Sequence, residues 1–306
     1  MADTKIAAPG PNWLGRWRTE HASQMTEWRR GLYRFRSSTL SLIGLSLIIF
    51  LLAVAISGPW WAPFPQDATG AIHPVDRFIA PGAGHLFGTD ELGRDVFSRI
   101  VLGTRVSLLA GVIVLTVAIS IGVTVGSIAG YFGGRIGELL MRLTDIMLAV
   151  PGIFLALAIT AALGPGITHA MMALSVTWWP GYARLVHGLV QSGREEDYIQ
   201  AARSVGAGSR RIIFLHIVPN IFGSVIIKAS LDFGFAILSL ASLGFIGVGA
   251  RPPTPEWGSM ISEGRQYLPQ HWWYSTFPGL AMFLAVFGFN MLGDGLRDVF
   301  DPSSRA

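Results

Sequence analysis

Five stretches of this chain carry no Asp, Glu, Lys or Arg: residues 37–66, 106–134, 146–183, 233–250 and 266–293. They run for 30, 29, 38, 18 and 28 residues. An α-helix rises 1.5 Å per residue, so about 20 apolar residues cross a hydrocarbon core of roughly 30 Å. A helix does this with every backbone polar group satisfied inside the segment. The runs predict an all-α, polytopic membrane protein with six transmembrane helices, at about 39–58, 106–130, 139–163, 168–190, 221–248 and 274–294. The third run holds the end of one span and most of the next. Leu163-Gly164-Pro165-Gly166 separates them, because Gly and Pro together break helices. Composition agrees: 14% of the 306 residues are charged, against about 25% in a soluble domain. With 51% hydrophobic residues and no Cys, a disordered chain and a disulfide scaffold are excluded.

Ala53-Val54-Ala55 matches a small-x-small cleavage pattern, but 38 largely polar residues precede the first span. That is far longer than the basic head of a signal peptide, so the first run reads as a signal anchor. Orientation follows from Lys and Arg. Residues 1–38 hold Lys5, Arg16, Arg18, Arg29, Arg30, Arg34 and Arg36, which puts the N-terminus in the cytoplasm, and six spans return the C-terminus there. On this assignment 16 basic residues lie inside, six lie outside and Lys228 lies within a span. Residues 1–38 carry the whole net charge of +4, the rest of the chain having 16 bases and 16 acids. The basic balance is therefore a topology signal and not a nucleic-acid footprint. Trp60-Trp61 and Trp272-Trp273-Tyr274 fall at expected outer interfaces, where amphipathic rings collect.

The organisation read from these runs is a cytoplasmic tail (1–38), a first transmembrane helix (39–58), an extracytoplasmic loop (59–105), a membrane core (106–296) and a second cytoplasmic tail (297–306). The core contains a cytoplasmic loop at 191–220. Both long loops exceed what a connection needs, and long loops in compact proteins are usually functional.

Several chemistries are missing. Lys5 and Lys228 are the only lysines and neither follows Gly, so no Walker A loop is present to hold phosphates. There is no His-Glu-x-x-His, no Gly-x-Ser-x-Gly and no paired metal spacing among the seven histidines. A membrane enzyme is disfavoured, and no catalytic or metal residue is assigned.

The inner loop is the most informative segment. Acids at 195–197 suit a helix start, where the macrodipole favours negative charge. Tyr198, Ala201, Ala202 and Val205 share one helical face, Gly206 and Gly208 end the helix, and Ser209 is placed to cap a second one. Ile212, Ile213, Leu215 and Ile217 give that second helix an apolar side. A small-residue face admits close approach of another backbone. It serves either packing within the subunit or docking of a separate cytoplasmic protein.

Ala201-Ala202, Gly206 and Ile217-Val218-Pro219 resemble the "EAA" loop of ABC importer permeases. Gln200 stands where that pattern has Glu, and His216 occupies its hydrophobic site with Ile217 one position later. Further segments resemble the C-type subunits of dipeptide and oligopeptide permeases: Gly88-Thr89-Asp90-Glu91-Leu92-Gly93-Arg94-Asp95, Gly103-Thr104-Arg105, Gly130-Tyr131-Phe132-Gly133-Gly134, Pro252-Pro253-Thr254-Pro255-Glu256-Trp257-Gly258 and Gly293-Asp294-Gly295-Leu296-Arg297-Asp298. The matches run from about 40 to 302.

The resemblance implies the type I ABC importer (MetI-like) fold and a heteromeric assembly in a bacterial inner membrane. A homologous second permease would complete the path, two cytoplasmic ATPases would bind ATP and Mg²⁺, and an extracytoplasmic binding protein would deliver solute. Gln200, Ala201, Ala202, Gly206, Ile217 and Pro219 would then couple the chain to an ATPase. No cofactor is expected in this chain. The competing readings are the same architecture carrying nickel chelates or another small solute, and an ion-coupled secondary transporter using Lys228 and Asp232.

Other residues divide between structure and function. Gly122, Gly126 and Gly130 form a small-x3-small stripe suited to a close helix interface, in this subunit or with a partner permease. Lys228, Asp232 and Asp145 lie within spans, where charge is costly, so they are candidates to line a translocation path. Lys228 and Asp232 are four apart and able to pair on one helix face, and Asp145 has Arg142 nearby. In the outer loop, Asp90, Arg94 and Asp95 are candidates for contact with the binding protein or partner permease. Pairing that staples the loop is the alternative.

Overall fold

The computed structural model describes residues 33 and 35–300. Most of the basic tail predicted to be cytoplasmic, including Lys5, Arg16, Arg18, Arg29, Arg30 and Arg34, lies outside these residues, as does Arg305.

The first run forms helix α1, Thr39–Trp61, whose Ser38 side chain accepts the Ser41 amide at 3.3 Å and so caps its start. Helix α2 is longer than its uncharged run and spans Val96–Phe132. Asp95 caps it by accepting the Ser98 amide at 2.7 Å, so Arg99 and Arg105 ride on the helix instead of preceding it. Helix α3 (Gly134–Ala149) and helix α4 (Gly152–Leu163) divide what the sequence reads as one span at 139–163. They meet at 85°. The break follows from Pro151, which disfavours helical backbone at the residue before it; Val150 is extended, at φ −95° and ψ 128°.

Helix α5 covers Ile167–Gly193 and a short helix α6 covers Asp197–Ser204. A continuous helical segment then runs from Ser209 to Ile246. It passes through a π turn at Ile212–Ile217 before the regular helix α7, Val218–Ile246. Gly208, not Ser209, occupies the N-cap of that segment. Helix α8 (Trp257–Gly264) lies outside any expected span, and helix α9 covers Trp273–Phe300.

Among the described residues, four helices are long and apolar enough to cross a membrane: Thr39–Trp61, Val96–Phe132, Ser209–Ile246 and Trp273–Val299. The bent α3–α4 pair makes a fifth if it is one span. Helix α5 has the length for a sixth, with 27 residues. However, His169, Trp178, Trp179, Pro180, Tyr182, Arg184 and His187 dilute its apolar character.

That composition fits its position. α5 packs along α2 more extensively than any other pair of helices meets, and it also touches α4, α7 and α3. The core is built there: Leu115 and Ala118 of α2 meet Tyr182, Ala183, Val186 and Val190 of α5, together with Val225, Ala236 and Ile237 of α7. α1 packs against α9 and α2, and its Leu51 and Ala55 join the same core cluster.

The glycine stripe sets the distance between α2 and α5. A Cβ on Gly126 would stand 2.5 Å from the Ala183 carbonyl oxygen and 2.8 Å from Val186 Cβ. On Gly130 it would stand 2.8 Å from the His187 oxygen, and on Gly122 2.8 Å from the Trp179 oxygen. All three glycines are consumed by close approach within the subunit, so the stripe is not left free for a partner permease.

Candidate functional site

The inner loop is a small body held on one side and open on the other. Ile199 of α6 is buried, as are Ile212, Ile213 and Ile217 beyond it, and Ile199, Ile212 and Ile217 join the core cluster. Arg194 ties the loop to the end of α2 by donating from Nη1 to the Gly130 carbonyl at 3.2 Å. Arg203 lies over the Tyr131 ring, 5.8 Å from its centre, and the Asn220 amide donates to the Tyr198 hydroxyl at 2.7 Å.

Large apolar side chains of the loop are exposed among its surface charges. Val205 is 86% exposed and Leu215 66%, with Tyr198 and Phe214 also exposed. Of the coupling candidates, Gln200, Ala201, Gly206 and Pro219 are exposed and Ala202 is half-buried. Ile217 faces the core, so it anchors the loop and offers no surface. Gly206 carries φ +87°, and open space surrounds the place a Cβ would occupy. Its glycine is needed for the left-handed turn that closes α6, with the Ala207 amide returning to the Ala202 carbonyl at 3.0 Å.

The candidate charges of the outer loop are buried. Asp90, Arg94 and Asp95 are 0%, 2% and 1% exposed. Buried side chains present nothing to another protein, so these three are not surface contacts: the stapling alternative describes them.

Asp90 sits at the centre of the network. Its Oδ1 accepts the amides of Leu92 and Arg94 at 2.9 Å each, and its Oδ2 accepts Arg94 Nε at 2.6 Å. Arg99, also buried, lies 3.6 Å from the same oxygen and donates to the Asp67 carbonyl at 3.1 Å. Both guanidinium groups also face Glu263, at 3.6 and 3.8 Å, and the Tyr274 hydroxyl donates to that carboxylate at 2.8 Å. Asp95 adds a contact with His85 at 2.9 Å, and its amide donates to Asp67 at 2.7 Å. Trp273 donates to the Thr89 carbonyl at 3.1 Å. Trp273 and Tyr274 are therefore buried pins between loop and helix; of the expected interface aromatics, Trp60, Trp61 and Trp272 are exposed.

This network links residues 67–99 to α8 and the start of α9. Burial would lower Arg94, but Asp90 beside it raises it on balance. Burial raises Glu91, and the negative Asp90 adds to the effect. Burial also raises Glu256, opposed by the Gly258 and Ser259 amides that its two oxygens accept at 2.8 and 2.9 Å.

Within the bundle, Lys228 Nζ lies 3.0 Å from Asp232 Oδ2. Asp145 pairs across helices with Arg184 of α5, since Arg142 is held by Glu138 at 2.6 Å. The Asp145–Arg184 pair is well exposed on the subunit surface. The three path candidates are therefore not gathered into one cluster, because Tyr182, which stacks with Lys228, and Arg184 point to different sides of α5.

Comparison with known proteins adds to this geometry. Residues 122–306 match the family described as the binding-protein-dependent transport system inner membrane component. Residues 26–81 match the N-terminal transmembrane domain of oligopeptide transport permease C. The dipeptide transport system permease protein DppC of Alkalihalophilus pseudofirmus is 44% identical over 92% of both chains. The probable D,D-dipeptide transport system permease protein DdpC of Escherichia coli K12 is 42% identical, over 89% of this chain and 91% of that one. The glutathione transport system permease protein GsiD of Pectobacterium atrosepticum is 39% identical over 93% and 94%. Among solved structures, the inward-facing MetNI methionine ABC transporter matches with a TM-score of 0.54 at 20% identity, covering 65% of this chain and 95% of that one. The fold is thus the MetI-like permease fold, and this multi-pass membrane chain belongs to the family of binding-protein-dependent transport system inner membrane components.

Proposed function

We propose that this chain is the permease subunit of an ATP-driven importer of dipeptides or other short peptides, forming half of the translocation path. The observation that carries the coupling part is the exposed apolar side of residues 197–215, held at its base by Ile199, Ile212 and Arg194. A surface of Tyr198, Val205, Phe214 and Leu215 is costly in water and suits burial against a cytoplasmic partner. The partner in this reading is an ATPase that binds ATP and Mg²⁺. Its closure would move α6, and through Arg194 the α2–α5 pair, as one body. A homologous second permease and an extracytoplasmic binding protein complete the assembly, with both termini of this chain in the cytoplasm. The peptide class rests on the relatives, which are named as carriers of dipeptides, D,D-dipeptides and glutathione.

The test is uptake of labelled dipeptide into vesicles that contain this chain and the second permease. Uptake is expected only with the ATPases, hydrolysable ATP and loaded binding protein all present. Uptake by the permeases alone, driven by an ion gradient, would overturn the reading.

A further inference from the structure

We infer that Lys228 and Asp232 form a site for the charged ends of a zwitterionic short peptide, with Asp232 taking the ammonium group and Lys228 the carboxylate. The inference rests on the peptide-importer reading and gives that reading residues.

The two are the only Asp, Glu, Lys or Arg between Arg211 and Arg251. They are the eighth and twelfth residues of the span expected at 221–248. At 1.5 Å per residue both lie within roughly 10 Å of the midpoint of that span, on its cytoplasmic side. The pair is closed at 3.0 Å, yet Lys228 is 35% exposed and Asp232 18%. One flank is built: the Lys228 ammonium sits over the ring of the fully buried Tyr182, 5.2 Å from its centre. Ser224 and Phe235, four before Lys228 and three after Asp232, are exposed on the same side of α7.

Charge this deep is too costly to turn toward lipid tails, so the open side of the pair faces water or another subunit. A half-buried pair shielded by one aromatic ring is able to part and exchange partners. A dipeptide supplies one cation and one anion, so both charges would be satisfied again when it binds. A hydrophobic or singly charged solute would leave one of them unpaired.

The test uses the full assembly in vesicles. Replacing both charges, Lys228→Met with Asp232→Leu, leaves no orphan, and exchange of a merely structural buried pair for apolar residues is commonly neutral or stabilising. The expected result is an assembled transporter with stimulation of ATP hydrolysis by loaded binding protein within about two-fold of wild type, and dialanine uptake lowered by about ten-fold or more, the loss of at least one charged hydrogen bond. Dialanine uptake within two-fold of wild type would overturn the inference.

A second variant covers the case in which the double substitution does not assemble. The chain has no cysteine, so Ser224→Cys adds its one thiol. A water-soluble maleimide should label it in the assembled transporter, and excess dialanine should slow the labelling. No labelling, or labelling indifferent to dialanine, would overturn the site. If wild-type vesicles import no dipeptide at all, the importer reading fails instead, and labelling of Ser224→Cys still reports whether this face meets water.

Discussion

The two long loops make opposite use of their residues. In the outer loop the charges turn inward: Asp90, Arg94, Asp95 and Arg99 are buried and joined to Glu263 and Tyr274. In the inner loop the charges stay at the surface and the apolar residues Val205, Phe214 and Leu215 turn outward as well. Both segments exceed the length of a connection, and both carry charge, so sequence alone rates them equally as contact surfaces. The structure separates them. The outer loop also leaves Ile72, Val75 and Leu86 exposed, so what separates the two is where the charges go: into buried ion pairs in the outer loop, and to the surface beside exposed apolar side chains in the inner one.

The largest test of this contrast is Asp90→Ala. It leaves two buried guanidinium groups without their shared carboxylate. Removing one partner of a buried pair costs about 3–5 kcal/mol. We expect a large fall in thermal stability of the purified chain. A fall under about 1 kcal/mol would show that the network does not hold the outer loop.

Gly206→Asp comes next. Its φ of +87° costs a non-glycine residue about 1–2 kcal/mol. The loss should stay local to the end of α6, so the spans remain folded while ATP hydrolysis no longer drives uptake. Normal coupling in the folded variant would argue against docking through this loop. Val205→Asp disturbs stability less, within about 0.5 kcal/mol at so exposed a position. It should still reduce coupled uptake, because it places a charge in the apolar surface. Unchanged uptake per ATP hydrolysed would break the contrast between the two loops.

How much of this was legible beforehand depends on the range of the interactions. The helices follow from uncharged runs, and the end of α6 follows from Gly206, because both are local. The start of α2 lies ten residues before its uncharged run: the run begins at 106, but Asp95 caps the helix at Val96. A charge next to an apolar run need not end a helix when its partner is supplied from elsewhere, as Asp90 does for Arg99. The break at Val150-Pro151, inside the span expected at 139–163, follows the same local rule as the turn at Gly164-Pro165. The outer network was not readable. Asp67 meets the Asp95 amide 28 residues away, and Arg94 meets Glu263, so only folding reveals the pairs. Asp145 likewise finds Arg184, 39 residues on, instead of Arg142 one turn back.

The smallest effect concerns the sign of charge in the outer network. Burial, with help from Asp90, raises the Glu91 carboxyl above its ordinary value of 4.5. A raised carboxyl contributes stability that is fully present below its unfolded value and is lost as pH rises through the folded one. Near neutral pH the ionised Glu91 therefore costs the folded state something, which a neutral side chain of the same shape avoids. Glu91→Gln should leave thermal stability nearly unchanged at about pH 5 and raise it slightly relative to wild type at about pH 8. The readout is the difference between variant and wild type at the two pH values, which cancels every other titrating group. An equal difference at both would mean that Glu91 is solvated in the assembled loop, and that the outer network is looser than its closed geometry implies.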